Sequence, residues 1–285
     1  MQNKQHRYWL LAALSAPLAH FSGSGWLTAA LTALAVLPLA MIPKDWSDQT
    51  KSMAVVQIIW LGAVAGGLLS RSAAYWPSDN RWAVPLTILA LAAWTGNSPA
   101  PRIGTVIAFC VALLAIPTVV STVVHLEPQW LGLTVGGWPW DLTLALLLPN
   151  LPAGAWAGKK SILHVGFLAV ILSAMVQGTI SARVAGSVVD PLYQTARTLG
   201  YLEPVVASAV TLGWYAMTIY ILQSASVIAK ESDIDGLWAS VFAAGTATIF
   251  VLTKVRLNAP FWTVLSVFLW VLHPFLTKIK KVEKT

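Results

Sequence analysis

Residues 204–229, PVVASAVTLGWYAMTIYILQSASVIA, run 26 positions without a charged side chain, between Glu203 and Lys230. As a helix rising 1.5 Å per residue the stretch is about 39 Å long, more than the roughly 30 Å hydrocarbon core of a bilayer. It therefore reads as a transmembrane helix, and the pattern recurs along the chain. Working outward between charge clusters gives ten candidate spans: residues 8–21, 26–42, 53–70, 83–95, 103–124, 141–157, 161–182, 204–229, 236–253 and 260–277. The first and fourth are short. The expected fold is an all-α, polytopic membrane helix bundle of about ten transmembrane helices, forming one integral-membrane domain over residues 1–285.

Composition leads to the same class. Of 285 residues, 57% are apolar and 10% charged, and the mean hydropathy is +0.70. A soluble globule carries roughly 25% charged residues, and a disordered chain is poor in aromatics, so both classes are excluded. The net charge of +7 is not a nucleic-acid footprint, because Lys and Arg sit in short breaks between apolar runs rather than on one face. The lone Cys110 builds neither an internal disulfide nor a thiolate metal site. The basic start, residues 1–7, runs into the first apolar segment without a small-residue cleavage site, and that segment reads as a retained helix.

Orientation follows from the cations. With the N-terminus in the cytoplasm and spans alternating, twelve of the eighteen Lys and Arg fall inside and six outside. The positive-inside rule then puts both termini in the cytoplasm. Of the fifteen tryptophans, eleven (Trp9, Trp46 and Trp76 among them) sit at run edges, where indole anchors at the headgroup level. Trp60, Trp94, Trp214 and Trp270 lie deeper and read as packing between helices. In the loop 183–203, Leu192, Ala196 and Leu199 fall at helical spacing, and Asp190-Pro191 can open a short surface helix on the external face.

Chemistry-bearing residues are few. No span carries Asp, Glu, Lys or Arg near its centre, which argues against a proton relay. The five histidines are scattered, without close carboxylate partners. His20 reads as an interfacial or packing residue, and no metal site or cofactor is expected. HExxH, GxSxG and P-loop motifs are lacking, so no enzyme is expected. Gly62 and Gly66 form a Gly-x-x-x-Gly packing signal. In the sixth span, Asp141 opens the helix and Pro149-Asn150-Leu151-Pro152 interrupts it. Such a break frees backbone groups able to bind a ligand, and it reads equally as a short helix ending in a proline–glycine turn.

The order of these features resembles the B-subunit of bacterial spore germinant receptors, within the amino acid–polyamine–organocation transporter superfamily. The residues that carry the resemblance are Gly25-Trp26-Leu27, Pro101-Arg102-Ile103-Gly104, Trp138-Pro139-Trp140-Asp141, Leu148-Pro149-Asn150-Leu151, Asp190-Pro191-Leu192-Tyr193 through Arg197, Gly213-Trp214 and Leu272-His273-Pro274. It extends from about Trp9 to Lys281. The resemblance implies a five-plus-five inverted repeat of leucine-transporter type in a bacterial inner membrane, of cell or spore. It also implies a permease-like subunit that senses an amino acid or similar nutrient beside A-type and C-type receptor subunits. A secondary amino-acid transporter is the alternative. Asp141, Pro149 and Asn150 are the candidate ligand-binding residues, and Asp190 and Arg197 the candidate partner contacts. Members of the family are longer, and residues 12–21 lack the glycine-rich unwound stretch of their first helix, which implies a reduced pocket.

Overall fold

A computed structural model describes residues 2–47, 49–76, 80, 82–95, 101–133, 136–155, 157–188, 190–200, 202–253 and 260–282. The helices are α1 (Gln2–His20), α2 (Trp26–Met41), α3 (Lys51–Leu69), α4 (Ala83–Thr95), α5 (Pro101–Val124), α6 (Trp140–Leu147), α7 (Pro152–Ala155), α8 (Lys159–Ser187), α9 (Pro191–Thr198), α10 (Glu203–Glu231), α11 (Gly236–Thr253), α12 (Pro260–Val267) and α13 (His273–Val282). No strand occurs among the described residues. Each of the ten apolar runs lies on helix. Among the described residues, six stretches are long and apolar enough to cross a membrane: Lys51–Tyr75, Thr105–Val124, Lys160–Ser181, Glu203–Glu231, Gly236–Thr253 and Pro260–Ile279. The other four runs are helical but shorter, interrupted, or polar at one end.

Local chemistry sets the helix ends. Pro204 occupies the first turn of α10 beside Glu203, and Lys230 lies in its last turn, which matches the helix dipole at both ends. The Thr50 hydroxyl accepts from Met53 N at the start of α3. A π turn, Phe268–Leu272, joins α12 to α13, and Gln57 Nε2 donates to Leu269 O there at 3.0 Å. Ser181 breaks α8 with φ 64, a backbone region that favours glycine, and the last helical residues turn away beyond it.

The core is centred on α10, whose Trp214, Met217 and Tyr220 are fully buried. Around it the helices fall into two groups. In one, α1 and α2 each pack on α6 and on α8. In the other, α3 and α4 each pack on α10 and on α11. The α1–α10 contact joins the groups, and α5 packs on both of those helices. Small residues allow the closest approaches. A Cβ on Gly66 would sit 2.3 Å from Ala247 O, and one on Gly62 2.4 Å from Ala243 O, so the Gly-x-x-x-Gly of α3 is the seam with α11.

The outward faces are apolar. On α5, Val106, Phe109, Leu113, Ile116, Val120 and Val123 recur at helical spacing and are all exposed. A water-soluble protein does not leave such a stripe open, whereas lipid covers it at no cost. The chain is thus a membrane protein by its helices and by its surface. Three tryptophans depart from expectation. Trp9 and Trp46 are buried rather than interfacial, because α1 and the α2–α3 loop pack into the bundle, and Trp94 is 83% exposed instead of lying between helices.

Candidate functional site

Polar groups gather at the bundle end where α1 and α3 finish and α6 and α10 begin. His20 is the last residue of α1 and is buried. Its Nδ1 lies 2.6 Å from Asp190 Oδ2 and 3.3 Å from the Tyr75 hydroxyl. At 2.6 Å a proton must sit between the histidine and the carboxylate. Asp190 uses its other oxygen to cap α9, accepting from Tyr193 N at 2.9 Å. One carboxylate therefore starts α9 and fixes the end of α1 across 170 residues of sequence.

Aromatic rings enclose the pair. The His20 ring stands edge-on to Phe21 at 5.0 Å and to Trp214 at 6.1 Å, and Tyr75 packs on Tyr193 at 5.5 Å. Trp214 is eleven residues, or three turns, into α10, so the pair lies well inside the bundle. The helix expected in loop 183–203 is α9. It packs Leu192, Ala196 and Leu199 on the bundle with its N-cap inward, while Arg197 is exposed. The Tyr193 hydroxyl donates to Glu203 Oε1. Burial, then that hydrogen bond and the Glu203 charge, push the Tyr193 phenol up to about 12.

The expectation that the histidines lack carboxylate partners is corrected here. His20 and Asp190 are far apart in sequence, and the kink at Ser181 together with α9 carries the aspartate back into the bundle.

Asp141, in the first turn of α6, shares this end, within electrostatic reach of Arg71 and His20. Asp141 Oδ1, Ser72 Oγ and Trp214 Nε1 are among the buried atoms without hydrogen-bond partners in the described residues, and others, Asn150 Oδ1 and Arg7 Nε included, lie elsewhere in the bundle. Buried polar atoms ordinarily find partners, so each is a candidate for contact with water or a solute.

Pro149 and Asn150 lie apart from this cluster. Asn150 is nine residues beyond Asp141, about 13 Å along a helix. The expected interruption is present as a 3-10 turn, Leu148–Asn150, between α6 and α7. The protein takes up the carbonyls it frees: Tyr220 OH donates to Leu148 O at 3.0 Å, and Asn150 Nδ2 donates to Leu147 O at 2.9 Å. Gly154 is needed beside the break, since a Cβ there would meet Pro149 O at 2.3 Å and the Tyr220 hydroxyl at 2.6 Å. At mid-bundle α1 touches α10 directly, because a Cβ on Gly213 would lie 2.6 Å from Ser15 Oγ.

Gln177 is a polar residue that the sequence reading passed over. Buried in α8, its Oε1 accepts from Trp26 N at 3.1 Å, and its Nε2 donates to Trp130 O at 2.8 Å and Gly132 O at 3.1 Å. One amide thus pins the glycine-rich loop after α5 to the start of α2. No group of three metal-ligating side chains occurs among the described residues. The chain matches no protein-family model and no curated protein.

Proposed function

We propose that the chain is a permease-like integral membrane subunit that recognises a small amino-acid-like solute, of the kind found in spore germinant receptors. It would cross a bacterial inner membrane, of cell or spore, ten times with both termini inside. The observation that carries the reading is the pairing of helices. Number the ten apolar runs in order and exchange run n with run n + 5. The α3–α11 contact then becomes α4–α10, α1–α8 becomes α2–α6, and α1–α5 becomes α6–α12, each of which occurs. The contacts α1–α6, α2–α8, α3–α10 and α4–α11 map onto themselves. Such exchange is what two five-helix halves in inverted topology would produce. The α1–α10, α5–α10 and α10–α11 contacts have no α3–α6, α3–α12 or α3–α4 counterparts of similar extent; for the first of them Gly213 supplies the local reason.

Within that arrangement Asp141 is the group for a solute ammonium, with its unpaired oxygen, and Arg71 with the Trp214 N–H suits a solute carboxylate. Arg197, exposed on α9, is the natural contact for a partner subunit. Co-expression with A-type and C-type receptor subunits tests the assignment. The reading expects a complex that survives affinity purification and weakens with Arg197→Ala, and a chain that never associates with either subunit would overturn it. The transporter alternative has one observation in its favour, the buried His20–Asp190 pair, since ionisable groups inside a bundle often couple ions to transport.

A further inference from the structure

A cavity of about 690 Å³ opens between α1, α5 and α8, apart from the polar cluster. Sites for small molecules occupy roughly 300–1,000 Å³, so its size is that of a ligand site. Its walls are Leu11, Ala12, Ala108, Ala112, Phe167 and Leu172 with their neighbours, and among the described residues no carboxylate lines it. Tyr8 is 51% and Phe167 67% exposed, so one side lies open along the outer surface of the bundle. The polar lining is uneven. Arg7 and His164, both near the starts of their helices, mark one end, and Ala19 and Leu192 mark the other. Arg7 Nε is buried and has no hydrogen-bond partner among the described residues. Arginine stays charged, and a buried guanidinium nitrogen without an acceptor is costly.

We propose that this groove holds an acyl chain of an anionic phospholipid, with the phosphate on Arg7 and His164. The dimensions fit. From Arg7 to Ala19 is twelve residues of α1, about 18 Å at 1.5 Å per residue. One leaflet of hydrocarbon is about 15 Å, half of a roughly 30 Å core. A lipid whose headgroup meets Arg7 therefore lays its chain along the groove across the depth of its leaflet, with about 3 Å of groove beyond the midplane. Charge selects the headgroup, because a cation and a histidine with no carboxylate beside them favour an anion over a zwitterion. Lys160, exposed one turn before His164 on α8, adds to the positive field. The groove wall includes Ser15 of α1 and Ala209 and Val210 of α10, so an occupant would brace α1 next to the helix it packs against.

The test uses the purified full chain, delipidated in detergent and titrated with phosphatidylglycerol or phosphatidylcholine under native mass spectrometry. The expected result is one strongly held phosphatidylglycerol per chain, with about tenfold preference over phosphatidylcholine, the size expected for one charge-assisted contact. Arg7→Gln should bring the two lipids to equal affinity, and Arg7→Lys should restore most of the preference. Ala112→Trp, which fills the groove, should abolish the tightly held lipid. A photoactivatable phosphatidylglycerol on the unmodified chain should crosslink to peptides containing Ala112 or Phe167, a readout independent of whether a variant folds. Equal binding of both lipids by the wild type would overturn the proposal. So would lipid retention by a folded Ala112→Trp protein, crosslinks confined to other helices, or full competition by glycerol phosphate, which has no chain.

Discussion

Asp190→Asn and Asp190→Ala separate the two tasks of this carboxylate. The aspartate is 6% exposed and contacts His20 Nδ1 through one oxygen and the Tyr193 amide through the other. Removing one partner of a buried hydrogen bond costs about 1–3 kcal/mol, because the other is left unsatisfied. Losing an N-cap costs about 1 kcal/mol more, but asparagine caps nearly as well as aspartate. Asn should therefore cost about 1–3 kcal/mol and Ala about 1 kcal/mol beyond that. At roughly 2–4 °C per kcal/mol for a chain of this size class, the Asn variant should melt about 2–12 °C below wild type. Intrinsic tryptophan fluorescence during thermal unfolding in detergent is a suitable assay, as Trp214 packs against the His20 ring. A His20→Leu/Asp190→Asn double variant should be less destabilised than the sum of the singles, since the two residues share one contact that can be lost only once. An Asp190→Asn protein within 1 °C of wild type would refute the reasoning, and equal losses for Asn and Ala would remove the cap from it.

Three other outcomes follow from local geometry. Gly66→Leu should open the α3–α11 seam and destabilise by at least the roughly 1–3 kcal/mol of core overpacking, read as a lower melting temperature, while Gly245→Leu, with open space at its Cβ, should be near neutral. Burial pulls the Lys44 ammonium in the α2–α3 loop down to about 8, so its acylation should reach half-rate near pH 8. Because the folded chain gives up this proton more readily than the unfolded one, stability should rise between about pH 8 and 10.5, and an acylation midpoint near 10 would contradict this. In a Cys110→Ser background, cysteines at Lys51 and Glu231, both exposed, should be shielded from an impermeant thiol reagent in intact cells while one at Thr198 labels. The reverse pattern would invert the proposed topology. Ser78, the other external position the cation count suggests for this test, lies outside the described residues.

Much of the helical architecture was legible, because hydropathy reports directly on what lipid surrounds. The runs around Gln57, Pro117 and Gly213 are apolar over lengths that leave a chain little choice but helix. The seam at Gly62 and Gly66 and the cap at Asp190 were also legible, since each depends on spacing within a few residues. What escaped was long-range. Nothing within a helical turn of His20 announces Asp190, 170 residues on, and hydropathy does not say which helix a residue faces. The break at Pro149 was visible, but the answer to its freed carbonyls comes from Tyr220, 72 residues away on α10. Trp94 misled for a related reason, because its depth in an apolar run says nothing about which side of α4 meets lipid. The unpaired oxygen of Asp141 likewise emerges only when α1, α2 and α12 are placed around α6.

Solute binding and uptake in reconstituted vesicles bear most directly on the central claim, recognition of an amino-acid-like solute within the bundle. The purified chain is titrated with a panel of radiolabelled amino acids, and the same vesicles are assayed for lumenal accumulation. The account predicts saturable binding of at least one member, loss of that binding by a folded Asp141→Asn protein, and no accumulation against a gradient. Absence of binding across the whole panel, or wild-type binding by Asp141→Asn, would contradict it.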